Sequence, residues 1–416
     1  MKIRVAMIWG GKSVEHEVSI ISGIQALKSM DRKKYEPIPL YMTKDNEMYI
    51  GEGVGEISSY RDIPAMLNSA QRVIMVNEGG HFMLQPYPFK LFGGIKPVEF
   101  DIAFPVVHGT NVEDGALQGY LKTIGVPFVG PDVTSSAVSM DKFITKAILK
   151  EAGVPVLDAK LYTLADYADT EVLLNDIEKV IGYPVIVKPV NLGSSVGIGV
   201  AKNRDELISV VDDAYMYATR IMAEHAISNL REINCAVLGD ENEAEASECE
   251  EPLNAGVILS YEDKYVNGGG KKGGAKGGVK SAAANSAASS AGETKAIGGA
   301  KGSRGSGMAN LSRKIPAELK KKEREEIREL AVKAFKALGC NGVSRIDFMI
   351  DKDDGSLYFN EINPIPGSLS FYLWEPVGLS YTELLDRMIR LALERSRREE
   401  AVTYKFDTNI LQTANI

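Results

Sequence analysis

Residues 267–307 read NGGGKKGGAKGGVKSAAANSAASSAGETKAIGGAKGSRGSG, a run of Gly, Ala, Ser and Lys with almost no branched or aromatic residue. Such a run cannot bury enough apolar surface to offset the conformational entropy of ordering it. Any fold must therefore close on either side of it and carry it as an insertion. Its six Lys and one Arg against one Glu give it a charge of +6, so in a chain of net charge −8 the remainder stands at −14. A solvated insertion is one reading of it. A basic segment that settles over phosphates is the other, since closing loops are drawn from the least stable parts of a structure.

The 416 residues as a whole are 44% hydrophobic and 25% charged, enough apolar material for cores but too long for one. At roughly 150 residues per domain, two or three units are expected. The acidic balance outside the insertion excludes a polyanion partner, and no nucleic acid is expected. No stretch approaches the length of a membrane span, and MKIRVAMIWGG ends its apolar run in a Gly pair, so it reads as a first strand and not a leader. Cys235, Cys249 and Cys340 are odd in number and lack metal-ligand or redox spacing, which makes a reducing cytoplasm the simplest compartment.

Strand IRVAMIW, a Gly-rich turn, helix SIISGIQALKSM and strand YEPIPLYM alternate, and FDIAFPVV and GALQGYLKTIG continue the pattern. That alternation implies a mostly parallel sheet covered by helices over residues 1–130, with an extra hairpin around HFMLQPY. Helix SMDKFITKAILKEAG and the β-rich runs GYPVIVKPV and GIGVAKN form a second unit, 131–218. A third, 219–395, opens on RIMAEHAI and REINCAVLG, carries the basic insertion, and resumes with EREEIRELAVKAFKALG, SRIDFMI and SLYFNEI. Residues 396–416 are a tail. The fold class is α/β, with an α+β C-terminal half.

Three motifs carry chemistry. In VSRIDFMI and LYFNEINP a period of two puts Arg345 and Asp347 on one face, and Glu361 and Asn363 on one face. If the strands pair, Asp347, Glu361 and Asn363 converge as three oxygen donors suited to Mg2+; strand-end polar residues clustering by chance fit the same pattern. VIVKPVNLGSSVGIGV offers Lys188 and a Gly/Ser run whose N–H groups can approach phosphate, and it reads equally as a hairpin turn. GGKSVEHEVS lies between the first strand and helix, where Glu15 can hold an amino group or simply favour the helix N-terminus.

Taken together, GGKSVEHEVS, HGTNVEDGALQG, SMDKFITK, VKPVNLGSSVG, YEDKY, SRIDF and NEINPIPGS resemble, in order and spacing, the D-alanine–D-alanine ligase family of ATP-grasp enzymes. The resemblance implies a three-domain architecture gripping ATP between the sheets of the second and third units. It implies that Lys142 and Lys188 contact the nucleotide and its phosphates, with Ser194 and Ser195 in the covering loop. Glu224, His225 and Ile227 would line the adenine pocket, Glu232 would take the ribose, and Lys264 would reach the phosphates. Asp347, Glu361 and Asn363 would hold two Mg2+ ions, or Mn2+ in their place. Glu15, supported by Ser194 and Tyr265, would take the first substrate's amino group, with Ser19 and His108 in the same substrate set. Arg345 and the backbone N–H of Gly367 would stabilise the oxyanion. A homodimer through the N-terminal unit is also implied.

The chain departs from the family at two places. In GSLSFYLWEP, Tyr372 stands where the family has a Ser for the second substrate's carboxylate, with Phe371 before it. The Tyr372 phenol or the Ser370 hydroxyl is expected to serve instead. The 267–307 insertion stands where the family has a shorter closing loop. The expected activity is ATP-dependent joining of two D-alanines for peptidoglycan; the alternatives are a different acceptor such as D-serine, or a silent binding relative.

Overall fold

Strand β1 (Ile3–Gly10) is buried from Val5 onward, as a strand covered on both faces must be. In this computed structural model, which describes residues 2–89, 96–193, 196–253 and 313–403, β1 pairs in parallel with β2 (Tyr35–Met42) and β7 (Ile102–Pro105). Helix α1 (His16–Ser29) makes the crossover from β1 to β2. The sheet is parallel where strand–helix alternation predicts it. Beyond β2 it continues as an antiparallel meander of β3 (Met48–Ile50), β4 (Gln71–Glu78), β5 (His81–Pro86) and β6 (Val98–Phe100), with the expected hairpin between β4 and β5. Helices α2 (Ile63–Ser69) and α3 (Ala116–Thr123) complete this part.

Helix α4 (Val133–Met140) is separated from α5 (Lys142–Glu151) by Asp141, whose carboxylate caps α5 by accepting from the N–H groups of Phe143 and Ile144. The second sheet holds β8 (Ala159–Thr163), β9 (Val185–Pro189), β10 (Gly199–Ala201) and β11 (Arg220–His225), in the order β10-β9-β11-β8. Helices α6 (Leu164–Tyr167), α7 (Thr170–Val180) and α8 (Arg204–Tyr215) accompany it, and Leu173, Ile177, Leu207 and Val211 of α7 and α8 share its core. One expectation is corrected here. RIMAEHAI does not open the third unit: β11 lies between β9 and β8, so the second sheet runs past residue 218.

The third sheet is antiparallel, with β12 (Leu230–Gly239) and β15 (Gly342–Asp351) central, β13 (Ala244–Pro252) and β14 (Arg313–Lys314) on one side and β16 (Leu357–Asn363) on the other. One face packs Ile233, Cys235, Ile346 and Phe348 on Ile327, Ala331 and Phe335 of α9 (Lys321–Ala337). The opposite face carries the polar residues discussed below. Helix α10 (Tyr381–Glu400) starts at a capping box between Ser380 and Glu383 and runs beyond residue 395, so the expected tail begins as helix. Its Leu384, Leu385, Met388 and Ile389 enter the same core as β1 and α1. The first sheet is therefore closed by the far end of the chain.

Candidate functional site

Lys188 leaves the end of β9 and is nearly enclosed, with its Nζ 2.5 Å from Glu224 Oε1 of the neighbouring strand β11. The other oxygen of Glu224 pairs with Lys146 of α5, a residue that sequence reasoning passed over. Burial alone would raise the Glu224 carboxyl, but the two ammonium groups overcome it and hold the group below its ordinary range. Two cations share one carboxylate, so the cluster has a surplus positive charge. Glu224 was expected against adenine; fully buried and saturated by two lysines, it acts on the site through them. The His225 side chain is exposed and Ile227 is half-buried just beyond it. Lys142, at the start of α5, donates to the Leu192 carbonyl at 2.6 Å and stands 3.6 Å from Glu361.

Across from these lysines lies the polar face of the third sheet. Arg345 forks onto Asp347 with two bonds of 2.7 Å, Asp347 sits opposite Glu361 in the ladder, and Asn363 Nδ2 donates to Asp347 Oδ2 at 3.1 Å. The period-of-two reading thus brings together the residues it named. It could not see the bulge between β15 and β16, where Asp347 faces Glu361 but Phe348 faces Phe359. That extra residue turns Phe359 into the α9 core while Glu361 and Asn363 stay on the site face. It also presents Asn360, whose Oδ1 accepts from Lys188 at 3.2 Å and joins the two sheets. Glu232 is half-buried on β12, at the same face as Asp347.

Asp347 is itself pushed upward by burial, with Glu361 and Glu250 adding to the effect and Arg345 opposing it. A cation there would be stabilising, and the donors are a carboxylate pair and a carboxamide, all oxygen. The residues present fit Mg2+.

The first unit supplies the third wall. Glu15 precedes α1, and its Oε2 lies 2.9 Å from where a Cβ would sit on either Gly109 or Gly193. Gly109 has φ +85°, and its Cβ would also meet Ser13 Oγ at 2.3 Å, so only glycine fits. Gly193 is ordinary in backbone and is glycine because Glu15 approaches it. Gly193→Ala should fold normally but displace the Glu15 carboxylate; if Glu15 holds an amino group, the KM of that ligand should rise by roughly 10²-fold, the scale of a 1 Å misplacement. An unchanged KM in steady-state kinetics would remove Glu15 from that role.

Ser19 and His108, expected in the substrate set, are both hydrogen-bonded within the protein. The Ser19 hydroxyl donates to the Val106 carbonyl at 2.7 Å and accepts from the Gly10 N–H at 2.8 Å, so it braces α1 against the ends of β1 and β7. His108 is buried with both ring nitrogens engaged, Nδ1 2.8 Å from the Ile365 carbonyl and Nε2 2.9 Å from Ser22 Oγ. A carbonyl only accepts, so Nδ1 bears the proton and Nε2 accepts from Ser22. Beside it Glu113, in the HGTNVEDG motif but given no role from sequence, accepts from the N–H groups of Gly109 and Ile365. Burial, then the charge of Glu15, pushes its carboxyl up to about 8.

The Pro-Gly turn that follows β16 is left-handed at Ser368, Leu369 and Ser370, with φ of 52°, 52° and 49°. Each such residue costs about 1–2 kcal/mol relative to a right-handed one, and Leu369 is a bulky case. Tyr372 leaves the turn into a buried niche where its hydroxyl donates to Glu250 Oε1 at 3.3 Å and its ring lies 4.2 Å beneath the Arg313 guanidinium. Arg313 Nη1 completes the triangle on Glu250 Oε2 at 2.9 Å. The phenol is thus occupied within the protein. The Ser370 hydroxyl is buried and has no hydrogen-bond partner among the described residues. Ser194, Ser195, Lys264, Tyr265 and the 267–307 insertion lie outside the described residues.

What the geometry assembles is a cationic cluster facing an oxygen-rich niche, with a carboxylate and a strained turn on the third side. The family profile described as D-ala D-ala ligase N-terminus matches residues 4–131, and the one described as D-ala D-ala ligase C-terminus matches 148–304 and 300–390. The D-alanine–D-alanine ligase of a Thermoanaerobacter species (strain X514) is 38% identical over 404 residues, covering 94% of this chain and 97% of that protein. The ligase of Thermosipho melanesiensis is 34% identical, covering 99% and 98%. Among solved structures, the D-alanine-D-alanine ligase from Coxiella burnetii superposes with a TM-score of 0.73 at 27% identity, covering 96% of each chain. The VanG D-Ala:D-Ser ligase from Enterococcus faecalis does so with a TM-score of 0.72 at 28% identity, covering 94% of this chain and 100% of that one. The chain belongs to the D-alanine–D-alanine ligase family.

Proposed function

We propose that the protein joins two D-alanines into D-alanyl-D-alanine with conversion of ATP to ADP and phosphate, a step of peptidoglycan synthesis. The observation that carries this reading is the opposition of the Lys142, Lys146, Lys188 cluster to Asp347, Glu361 and Asn363, with Lys142 3.6 Å from Glu361 and Lys188 3.2 Å from Asn360. A surplus of positive charge beside an oxygen-lined cation niche is what a transferring phosphoryl group requires.

A carboxylate is a poor acyl donor. In the first step an oxygen of the first D-alanine's carboxylate attacks the γ-phosphorus, the bond to the β,γ-bridging oxygen breaks, and ADP leaves; the product is an acyl phosphate. Glu15 orients that amino acid through its ammonium group, and Lys142 and Lys188 meet the charge on the phosphoryl oxygens. Mg2+ held by Asp347, Glu361 and Asn363 would add Lewis-acid withdrawal of charge from those oxygens. In the second step the neutral amine of the second D-alanine attacks the acyl carbon, the C–O bond to phosphate breaks, and the departing phosphate carries off the proton the nitrogen loses. Arg345 and the Gly367 N–H stabilise the tetrahedral oxyanion. Gly193 sets the second unit against Glu15, which keeps water from the acyl phosphate.

The test is ADP release with Mg2+-ATP against D-alanine, D-serine, D-lactate and L-alanine, with the product weighed by mass spectrometry. One D-alanyl-D-alanine per ADP is expected. A mixed product formed in preference would make this a ligase for another acceptor, and absence of turnover with every acceptor would overturn catalysis altogether.

A further inference from the structure

The strained turn does not hold itself. Three consecutive non-glycine residues in the left-handed region persist only where surroundings impose them, and within the turn the Leu369 N–H bond to the Pro366 carbonyl, 2.8 Å, is compatible with ordinary turns as well. The imposing groups lie on the first unit. Ser22 Oγ accepts from the Ser368 N–H at 2.9 Å, and Gln25 Oε1 accepts from the Ser368 hydroxyl at 2.7 Å. Ser22 in turn donates to His108, whose Nδ1 proton goes to the Ile365 carbonyl at the other end of the turn. The Leu369 side chain is fully buried in the core built on β1 and α1. Ser19, one turn before Ser22 on the same helix face, fixes α1 to the ends of β1 and β7, so the anchor is rigid.

We propose that Ser22 and Gln25 are positioning residues for the second chemical step: with His108 they clamp both ends of the turn and so fix the direction of the Gly367 N–H. The proposal rests on the ligase reading, and in particular on Gly367 facing the oxyanion. It separates the two steps of the reaction. Neither residue adjoins the lysines that serve the phosphoryl group, so losing them should spare formation of the acyl phosphate and slow its capture by the amine.

Ser22→Ala is expected to lower kcat for dipeptide about tenfold or more while the KM for ATP stays within about twofold, because one misplaced donor is felt in the transition state and not in nucleotide binding. ADP should then exceed dipeptide, as stranded acyl phosphate hydrolyses. Ser22→Thr, which keeps the hydroxyl, should restore a ratio near one. Gln25→Leu, which removes only the contact to the Ser368 hydroxyl, should show the same uncoupling more weakly and decides the matter if Ser22→Ala does not fold. Unchanged kcat in a folded Ser22→Ala chain, kcat and ATP affinity falling together, or an ADP-to-dipeptide ratio of one in Gln25→Leu would each overturn the proposal. Failure of the unaltered protein to form any dipeptide would instead overturn the ligase reading.

Discussion

Glu224→Gln is expected to unfold the protein roughly 10 °C early and to raise the KM for ATP by about tenfold or more. The carboxylate is fully buried, and Lys146 and Lys188 beside it are nearly so. A neutral amide in its place leaves two buried ammonium groups without a counter-charge. Removing one partner of a buried ion pair costs about 3–5 kcal/mol, and for a unit of 150–250 residues each kcal/mol lowers Tm by about 2–4 °C. Lys188 also loses the group that aims it. Lys146→Met should be milder, because it leaves Glu224 and Lys188 as a neutral pair. Thermal unfolding followed by circular dichroism, with ATP titrations, checks both; a Tm for Glu224→Gln within about 2 °C of the parent would mean that water reaches the cluster.

Arg345→Met carries the second large effect. It strips Asp347 of a two-bond partner inside a buried site, again about 3–5 kcal/mol, and under the proposed chemistry it removes one oxyanion donor, worth about 10²–10³ in kcat. Arg345→Lys should rescue little, since an ammonium cannot reproduce the fork of two 2.7 Å bonds. Adding Asp347→Asn to Arg345→Met removes the stranded charge and should return much of the stability. Turnover should stay lost. Recovery of turnover together with stability would show that turnover needs neither the Arg345 guanidinium nor the Asp347 carboxylate.

The sequence made the cluster of oxygen donors legible because two strands with a period of two place Asp347, Glu361 and Asn363 by parity alone. Asn360 was hidden, since a bulge is a property of the pair of strands and leaves no mark in either one. Lys146 was hidden for a related reason: four residues after Lys142 on a lysine-rich helix, it reads as a solvated charge until the fold sets it against Glu224. The β11 strand was assigned to the wrong sheet because sequence neighbours usually pair, whereas here Arg220–His225 returns to lie between β9 and β8. Ser19 and His108 were read for chemistry their hydroxyl and ring can perform, and the fold directs both inward. Tyr372 was expected to present its phenol to a ligand; a carboxylate and a guanidinium from β13 and β14 occupy it first.

The core of the first sheet has a consequence for how the protein is made. Val5 to Trp9 share one apolar cluster with Ile365, Leu369, Trp374 and the α10 residues through Ala392. The surface that β1 and α1 build is thus completed only by residues translated hundreds of positions later. At about 5–20 residues per second the ribosome leaves that surface open for tens of seconds after the first unit has emerged. Because the contacts that close it join positions hundreds of residues apart, their formation is also intrinsically slow. The N-terminal unit is a domain in its strand pairing but not in the timing of its assembly.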